Sequence, residues 1–166
     1  DSNKNKITEL YSKSVKKNIS KALSHSLSIS LVADNADQFC NQKKMLGKNY
    51  MNERLNDTQY KLINYCLAYK KGRIFSVQYK GLNCCSVFVS FFNNRLTLHS
   101  SYCNDIGKKY GAFFFLLNHI LTSEEFNSFT FDFEGSNMDG IAKRNLGFGA
   151  KSTHYQSVKL SRIPFL

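Results

Sequence analysis

Leu96-Thr97-Leu98-His99-Ser100-Ser101 and, a little further on, Asn104-Asp105-Ile106-Gly107-Lys108-Lys109-Tyr110-Gly111 form the stretch on which the fold turns. The first run is β-rich, and the second is a basic turn flanked by glycines. After it, Tyr110, Phe113, Phe114, Leu117, Ile120 and Leu121 recur at the three-to-four spacing of a helix. A strand that turns into a helix presents unpaired N–H groups and a positive dipole end at the helix start, which suits a pyrophosphate. Gly107 and Gly111 remove side chains that would block close approach, and Lys108 and Lys109 add charge. The same residues also describe an ordinary solvated connection.

Working upstream, residues 74–79 and 84–91 are two more β-rich runs. Lys80-Gly81-Leu82 and Asn93-Asn94 separate the three runs by hairpin lengths, which predicts an antiparallel meander. Before it, Asn56 or Asp57 opens a helix with Tyr60, Ile63, Leu67 and Ala68 facing inward, closed by Lys70-Lys71-Gly72. Asp34 or Asn35 caps another helix running to about Asn49, with Phe39, Met45 and Leu46 as its apolar side. Residues 27–32 alternate like a short strand. Residues 1–26 are a polar, basic helical segment whose Lys13, Lys16, Lys17 and Lys21 share one face.

Downstream, residues 129–133 read as a strand with its aromatics on one face. Ser136 begins a helix, with Asp139 in capping-box spacing, that ends at Gly147-Phe148-Gly149. Residues 152–160 form the last strand. The order ααβββαβαβ, after the N-terminal basic helix, predicts an α/β (α+β) fold with a mixed sheet. Strands joined by turns run antiparallel, and those joined through a helix run parallel, giving a meander followed by βαβ units. A ligand is expected where these connections leave a gap at the strand ends. With one Pro and no Gly/Ser linker, the expected organisation is the helical segment 1–26 and a single domain over 27–166.

The 166 residues are 42% hydrophobic, with 14 Phe and 9 Tyr, which excludes a disordered or low-complexity chain. No run approaches the roughly 18–20 apolar residues of a membrane span, and Asp1 to Lys6 do not resemble a signal peptide. The expected location is therefore cytoplasmic. Lys and Arg number 23 against 12 Asp and Glu, a net charge of +11, which favours an anionic partner: nucleic acid, a phosphorylated cofactor or a membrane face. A Lys- and Asn-rich chain without Trp also fits an AT-biased genome. The five cysteines, Cys40, Cys66, Cys84, Cys85 and Cys103, show no C-x-x-C pair and no His at ligand spacing. No metal is expected, and the thiols read as small buried hydrophobes in a reducing compartment.

Chemistry has few carriers. Asp132 and Glu134 share a face at the C-terminal end of their strand, where a desolvated carboxylate is a candidate general base. Each also has a structural reading, Asp132 tying down a loop and Glu134 facing a helix N-terminus. His99 is a further candidate base or a satisfied structural residue, and Ser136 reads as a cap. Arg144-Asn145-Leu146-Gly147-Phe148-Gly149 ends a helix in a basic, glycine-flanked turn. Tyr155, on the last strand, either protonates a leaving thiolate or packs. No Ser-His-Asp pattern, P-loop or dinucleotide fingerprint is readable.

The meander, basic turn, helix, strand, helix and final strand resemble the GNAT acyl-CoA N-acyltransferase fold. More narrowly, they resemble the second half of FemAB-like peptidyltransferases and related acetyltransferase domains. Val15-Lys16-Lys17-Asn18-Ile19-Ser20-Lys21-Ala22 before Leu27-Ser28-Ile29 is similar to the family's segment leading into its first strand. Phe131-Asp132-Phe133-Glu134-Gly135-Ser136 and Leu146-Gly147-Phe148-Gly149-Ala150 resemble its strand end and its Phe-Gly turn. The resemblance implies acetyl-CoA or another acyl-CoA held against Leu98, His99 and Ser100 and against the turn Gly107, Lys108, Lys109, Tyr110, Gly111 and Ala112. It implies strand N–H groups on the thioester carbonyl, and Glu134, Asp132 and Tyr155 as catalytic candidates. It places an amine acceptor on the Asp132–Glu134 side, with contacts from Lys143, Arg144 and Asn145. The turn departs from the GNAT pyrophosphate pattern, keeping Gly111 but placing Lys108 and Phe113 at its ends. The implied activity is transfer of an acetyl or aminoacyl group from a CoA thioester, or less readily from aminoacyl-tRNA, to an amine. The alternatives are a non-catalytic module that binds RNA or an anionic polymer through the N-terminal lysines, or a supporting half of a tandem protein.

Overall fold

Two tight turns set the sheet. In the computed structural model, which describes residues 7–30, 35–46, 53–134 and 138–154, the meander consists of β2 (Gly72–Tyr79), β3 (Leu82–Phe92) and β4 (Arg95–Cys103). Its hairpins turn at Lys80-Gly81 and Asn93-Asn94, and all four residues have positive φ, between 46° and 78°. Two consecutive positive-φ residues match the right-handed twist of the flanking strands, and Gly and Asn adopt that geometry most readily. The preceding β1 (Ser28–Ser30) pairs antiparallel with β2, and β5 (Thr130–Asp132) pairs parallel with β4. The five strands stand in the order β1-β2-β3-β4-β5, a mixed sheet of the expected kind.

Helices cover both faces. After a helical turn at residues 7–9, α1 (Lys13–Ser24) is capped by Ser12, whose Oγ accepts from the Val15 N–H at 3.3 Å. α2 (Ala36–Leu46) is capped by Asn35, with Oδ1 accepting from the Gln38 N–H at 2.9 Å, and α3 (Glu53–Ala68) follows. The single helix expected after the basic turn is two: α4 (Asp105–Tyr110) and α5 (Ala112–Leu121), broken at Gly111 with φ 73°. A Cβ on Gly111 would lie 2.6 Å from the Asn18 carbonyl oxygen, so the close approach of α1 requires glycine there. The last helix among the described residues, α6 (Asp139–Gly147), starts at Asp139. The expected cap Ser136 lies outside the described residues. Ser152 to His154 are not strand, and the remainder of the expected final strand, Tyr155 included, also lies outside them.

Alternation along the strands divides the core. Phe75, Val77, Val87 and Leu98 point towards α1 and α5, where Val15, Ala22, Leu116, Leu117 and Ile120 are buried with them. Ile74, Phe88 and Tyr102 point to the other side, against Phe39 of α2 and Ile63 of α3. Each face of a sheet must bury its apolar row, and one helix pair does so on each side. Residues 13–24 share the first core through Val15 and Ala22, while Lys13, Lys16, Lys17 and Lys21 are exposed.

Candidate active site

The sheet opens beside β4. On one edge, pairing with β3 slips by one residue: Phe88 faces Ser100 and Val89 faces Leu98, which leaves His99 as the extra residue of a bulge. On the other edge, pairing with β5 runs only from Arg95↔Thr130 to Thr97↔Asp132. Past that point a cleft of about 820 Å³ opens, floored by residues 98–103 and walled by α2, α3, Phe133, Glu134, Lys108 and Arg144. That volume falls in the range of small-molecule sites, roughly 300–1,000 Å³.

The two carboxylates separate here. Asp132 spends both oxygens, Oδ2 accepting from Arg95 at 2.7 Å and Oδ1 from the Glu134 N–H at 2.8 Å, and it does not line the cleft. It is a loop anchor, and the expectation that it shares a catalytic face with Glu134 is corrected. The reason is backbone: Glu134 has φ 56°, a left-handed conformation that ends the strand's alternation and turns its carboxylate into the cleft. Glu134 Oε1 meets His99 Nδ1 at 3.0 Å, with 46% of the Glu134 side chain exposed and 20% of the His99 ring. The other imidazole nitrogen, Nε2, lies 2.7 Å from Ser90 Oγ, and the ring stacks on Phe88 at 5.8 Å. Both ring nitrogens are thus engaged. Ser90 does not line the cleft, so this Ser-His-Glu row fixes the imidazole and, through it, Glu134.

Of the expected donor residues, Leu98, His99, Ser100 and Lys108 line the cleft. Lys108 Nζ pairs with Asp105 at 3.0 Å on the surface. The other expected donor contacts are not cleft-lining. The Gly107 N–H is held by Asn104 Oδ1 at 2.8 Å, and a Cβ there would run into the Cys84 carbonyl and Cys103 Sγ. Lys109 lies over the Tyr110 ring, which itself stacks on His25 of the α1 end at 4.3 Å. Gly111 packs on Asn18, and Ala112 is fully buried. The basic turn therefore splits between the cleft and the α1 contact.

On the acceptor side Arg144 lines the cleft, with its guanidinium 4.2 Å from the Phe113 ring centroid and donating to Asn145 Oδ1 at 3.1–3.2 Å. Burial lowers its pKa. Asn145 is buried beneath it, and Lys143 is exposed away from the cleft. Three contributors escape sequence reading. Lys43 reaches from α2 to Ser100 Oγ at 2.6 Å and to Gln59 Oε1 at 2.7 Å, with its pKa lowered by burial. Cys103 also lines the cleft, and Cys40 is partly exposed there too, so these two thiols are not the buried hydrophobes expected. Among the described residues, no group of three or more His, Cys, Asp or Glu is placed to hold a metal, and no helix is long and apolar enough to cross a membrane.

No protein-family model matches the sequence, and no curated protein matches it. Solved structures do share the fold. A candidate acetyltransferase from Clostridium difficile 630 superposes with a TM-score of 0.57 at 16% identity, over 82% of this chain and 98% of that one. AAC(6')-Iy, in complex with the bisubstrate analog CoA-S-monomethyl-acetylneamine, gives 0.58 at 11% identity, over 82% and 99%. A GNAT-family candidate acetyltransferase from Xanthomonas campestris pv. campestris gives 0.56 at 12% identity, over 83% and 94%. The mixed α/β architecture with its opened sheet is a GNAT-like fold.

Proposed function

We propose that this chain is a GNAT-type N-acyltransferase that moves an acyl group from a coenzyme A thioester to an amine. The bulge at His99, sited where β4 loses its β5 partner, carries the reading. A bulge removes backbone groups from the ladder, and here it does so on the floor of a ligand-sized cleft. Preorganised N–H donors at that place stabilise the oxyanion that forms when a neutral amine attacks a thioester carbonyl. The new C–N bond forms, the C–S bond breaks, and the departing thiolate takes up a proton. Glu134, held by His99, is the group in the cleft suited to accept the proton lost by the amine. Lys108 supplies positive charge for the donor's phosphates, and Arg144 faces the cleft on the acceptor side.

The likeness to AAC(6')-Iy, captured with a CoA-bearing analog, supports the donor class. The narrower resemblance to FemAB-like proteins, resting on the sequence motifs, belongs to this proposal as well, as do a cytoplasmic location, resting on the reading of the thiols as reduced, and the basic segment 1–26, resting on its lysines. Aminoacyl-tRNA stays the less favoured donor. The proposal is tested by thermal shift with acetyl-CoA, longer acyl-CoAs and coenzyme A, followed by a thiol-release screen across primary amines. A rise in Tm with acyl-CoA and amine-dependent release are expected. An unmoved Tm far above micromolar donor removes the reading. The four exposed lysines of α1 favour a second reading, a module that binds a polyanion, and in that case affinity for RNA falls steeply with salt.

A further inference from the structure

Cys103, on the floor of the cleft, and Cys85 behind it are a pair of thiols that the proposed transfer does not use. Cys85 on β3 and Cys103 on β4 are direct partners across the antiparallel ladder. The Asn104 N–H donates to the Cys84 carbonyl at 3.0 Å, so residues 84 and 104 form a hydrogen-bonded pair. Pairs alternate along such a ladder, which makes Cys85 and Cys103 a non-hydrogen-bonded pair, the kind in which facing side chains come closest. This is the cross-strand spacing that a disulfide bridges with least backbone movement. The two sulfurs are unequal: Cys85 is fully buried, whereas Cys103 is partly exposed and lines the cleft.

We infer that Cys85 and Cys103 form a peroxide-sensitive dithiol, with Cys103 the attacking sulfur and Cys85 the resolving one. A hydrogen bond from the Cys85 thiol, the nearby Lys108 ammonium and the Phe113 N–H at the start of α5 hold the Cys103 thiol below its ordinary range. Donating that hydrogen bond, together with burial, pushes Cys85 well above it. Cys40, the other cleft-lining thiol, is raised by burial. Nucleophilic character is thereby concentrated at one sulfur.

The chemistry balances with hydrogen peroxide as oxidant. The Cys103 thiolate attacks one peroxide oxygen, the O–O bond breaks, and the second oxygen leaves as water after taking a proton. The resulting sulfenic acid is attacked by the Cys85 sulfur, the S–S bond forms, and the sulfenic oxygen departs as water with the Cys85 proton. Two thiols and one peroxide give one disulfide and two waters. Closure draws the Cys103 sulfur from the α5 start towards Cys85 and discharges the thiolate beside Lys108. The dithiol stands whether or not the cleft binds a thioester.

The test uses the intact chain at neutral pH without reductant. Under limiting N-ethylmaleimide, Cys103 should label about tenfold faster than Cys40, the ratio expected for a thiol with a larger thiolate fraction. After hydrogen peroxide, peptide mapping should find Cys85 and Cys103 joined in a pair that dithiothreitol releases. In Cys85→Ser, the same treatment should leave Cys103 as a sulfenic acid that dimedone captures. Cys40 labelling first, or peroxide-treated wild-type protein with Cys85 and Cys103 unjoined, overturns the proposal. Both readouts come from the wild-type chain, so a poorly folding variant cannot mask them.

Discussion

The two ends of β4 are built from similar residues and do opposite things. Residues 95–97 are paired on both edges, to β3 and to β5, and Leu96 there is 1% exposed. Residues 98–103 are paired to β3 alone, carry the bulge, and floor the cleft. The opening comes from a mismatch of lengths, β5 stopping after three residues while β4 continues for nine. A cleft therefore opens in this sheet where one strand ends early.

Four measurements would break or sharpen that contrast. In the open half, Glu134→Gln should lower kcat/KM for the amine found in the thiol-release screen by about 10²–10⁴-fold, the scale of general base catalysis. Its urea midpoint should stay near wild type. In the closed half, Leu96→Ala should cost about 2–5 kcal/mol in urea unfolding, the range for an emptied buried Leu site, and should unfold the cleft only with the whole domain. Lys108→Glu should weaken acyl-CoA binding by ~1–3 kcal/mol in calorimetry, as expected for a charge-assisted hydrogen bond, whereas Lys109→Glu, off the cleft, should leave it unchanged. Smallest is Arg95→Ala: its 2.7 Å pair with Asp132 leaves 60% of the Arg95 side chain exposed, so under about 1 kcal/mol is expected. A large loss of activity in Arg95→Ala would show that Asp132 does more than hold the loop.

What was legible in the sequence follows from range. Lys80-Gly81 and Asn93-Asn94 are local turn signals, so the meander could be read, and a helix-linked strand had to return parallel. The break at Gly111 was hidden because its cause is Asn18, far away in the chain. Asp132 and Glu134 look equivalent when period-2 alternation is carried two residues past the strand, where the positive φ of Glu134 ends it. The Lys43 contact with Ser100 joins positions 57 apart, and no local pattern announces it. Cys103 opposite Cys85 depends on register, and the bulge sets that register.

The single surplus residue at His99 has a consequence for engineering. Leu96 and Leu98 point to the α5 side, yet Tyr102 is buried on the α2 and α3 side, because the slip exchanges the faces of every position after it. Deleting His99 would remove the surplus and leave a regular ladder: Leu98 would still face Val89 and Ser100 would still face Phe88, so Tyr102 keeps its layer and Cys103 stays across from Cys85. What the deletion takes away is the bulge itself and the imidazole that holds Glu134. Removing or adding a residue elsewhere in β4 would instead send the positions beyond it to the opposite face, so a library built on this scaffold should vary those residues without changing their number.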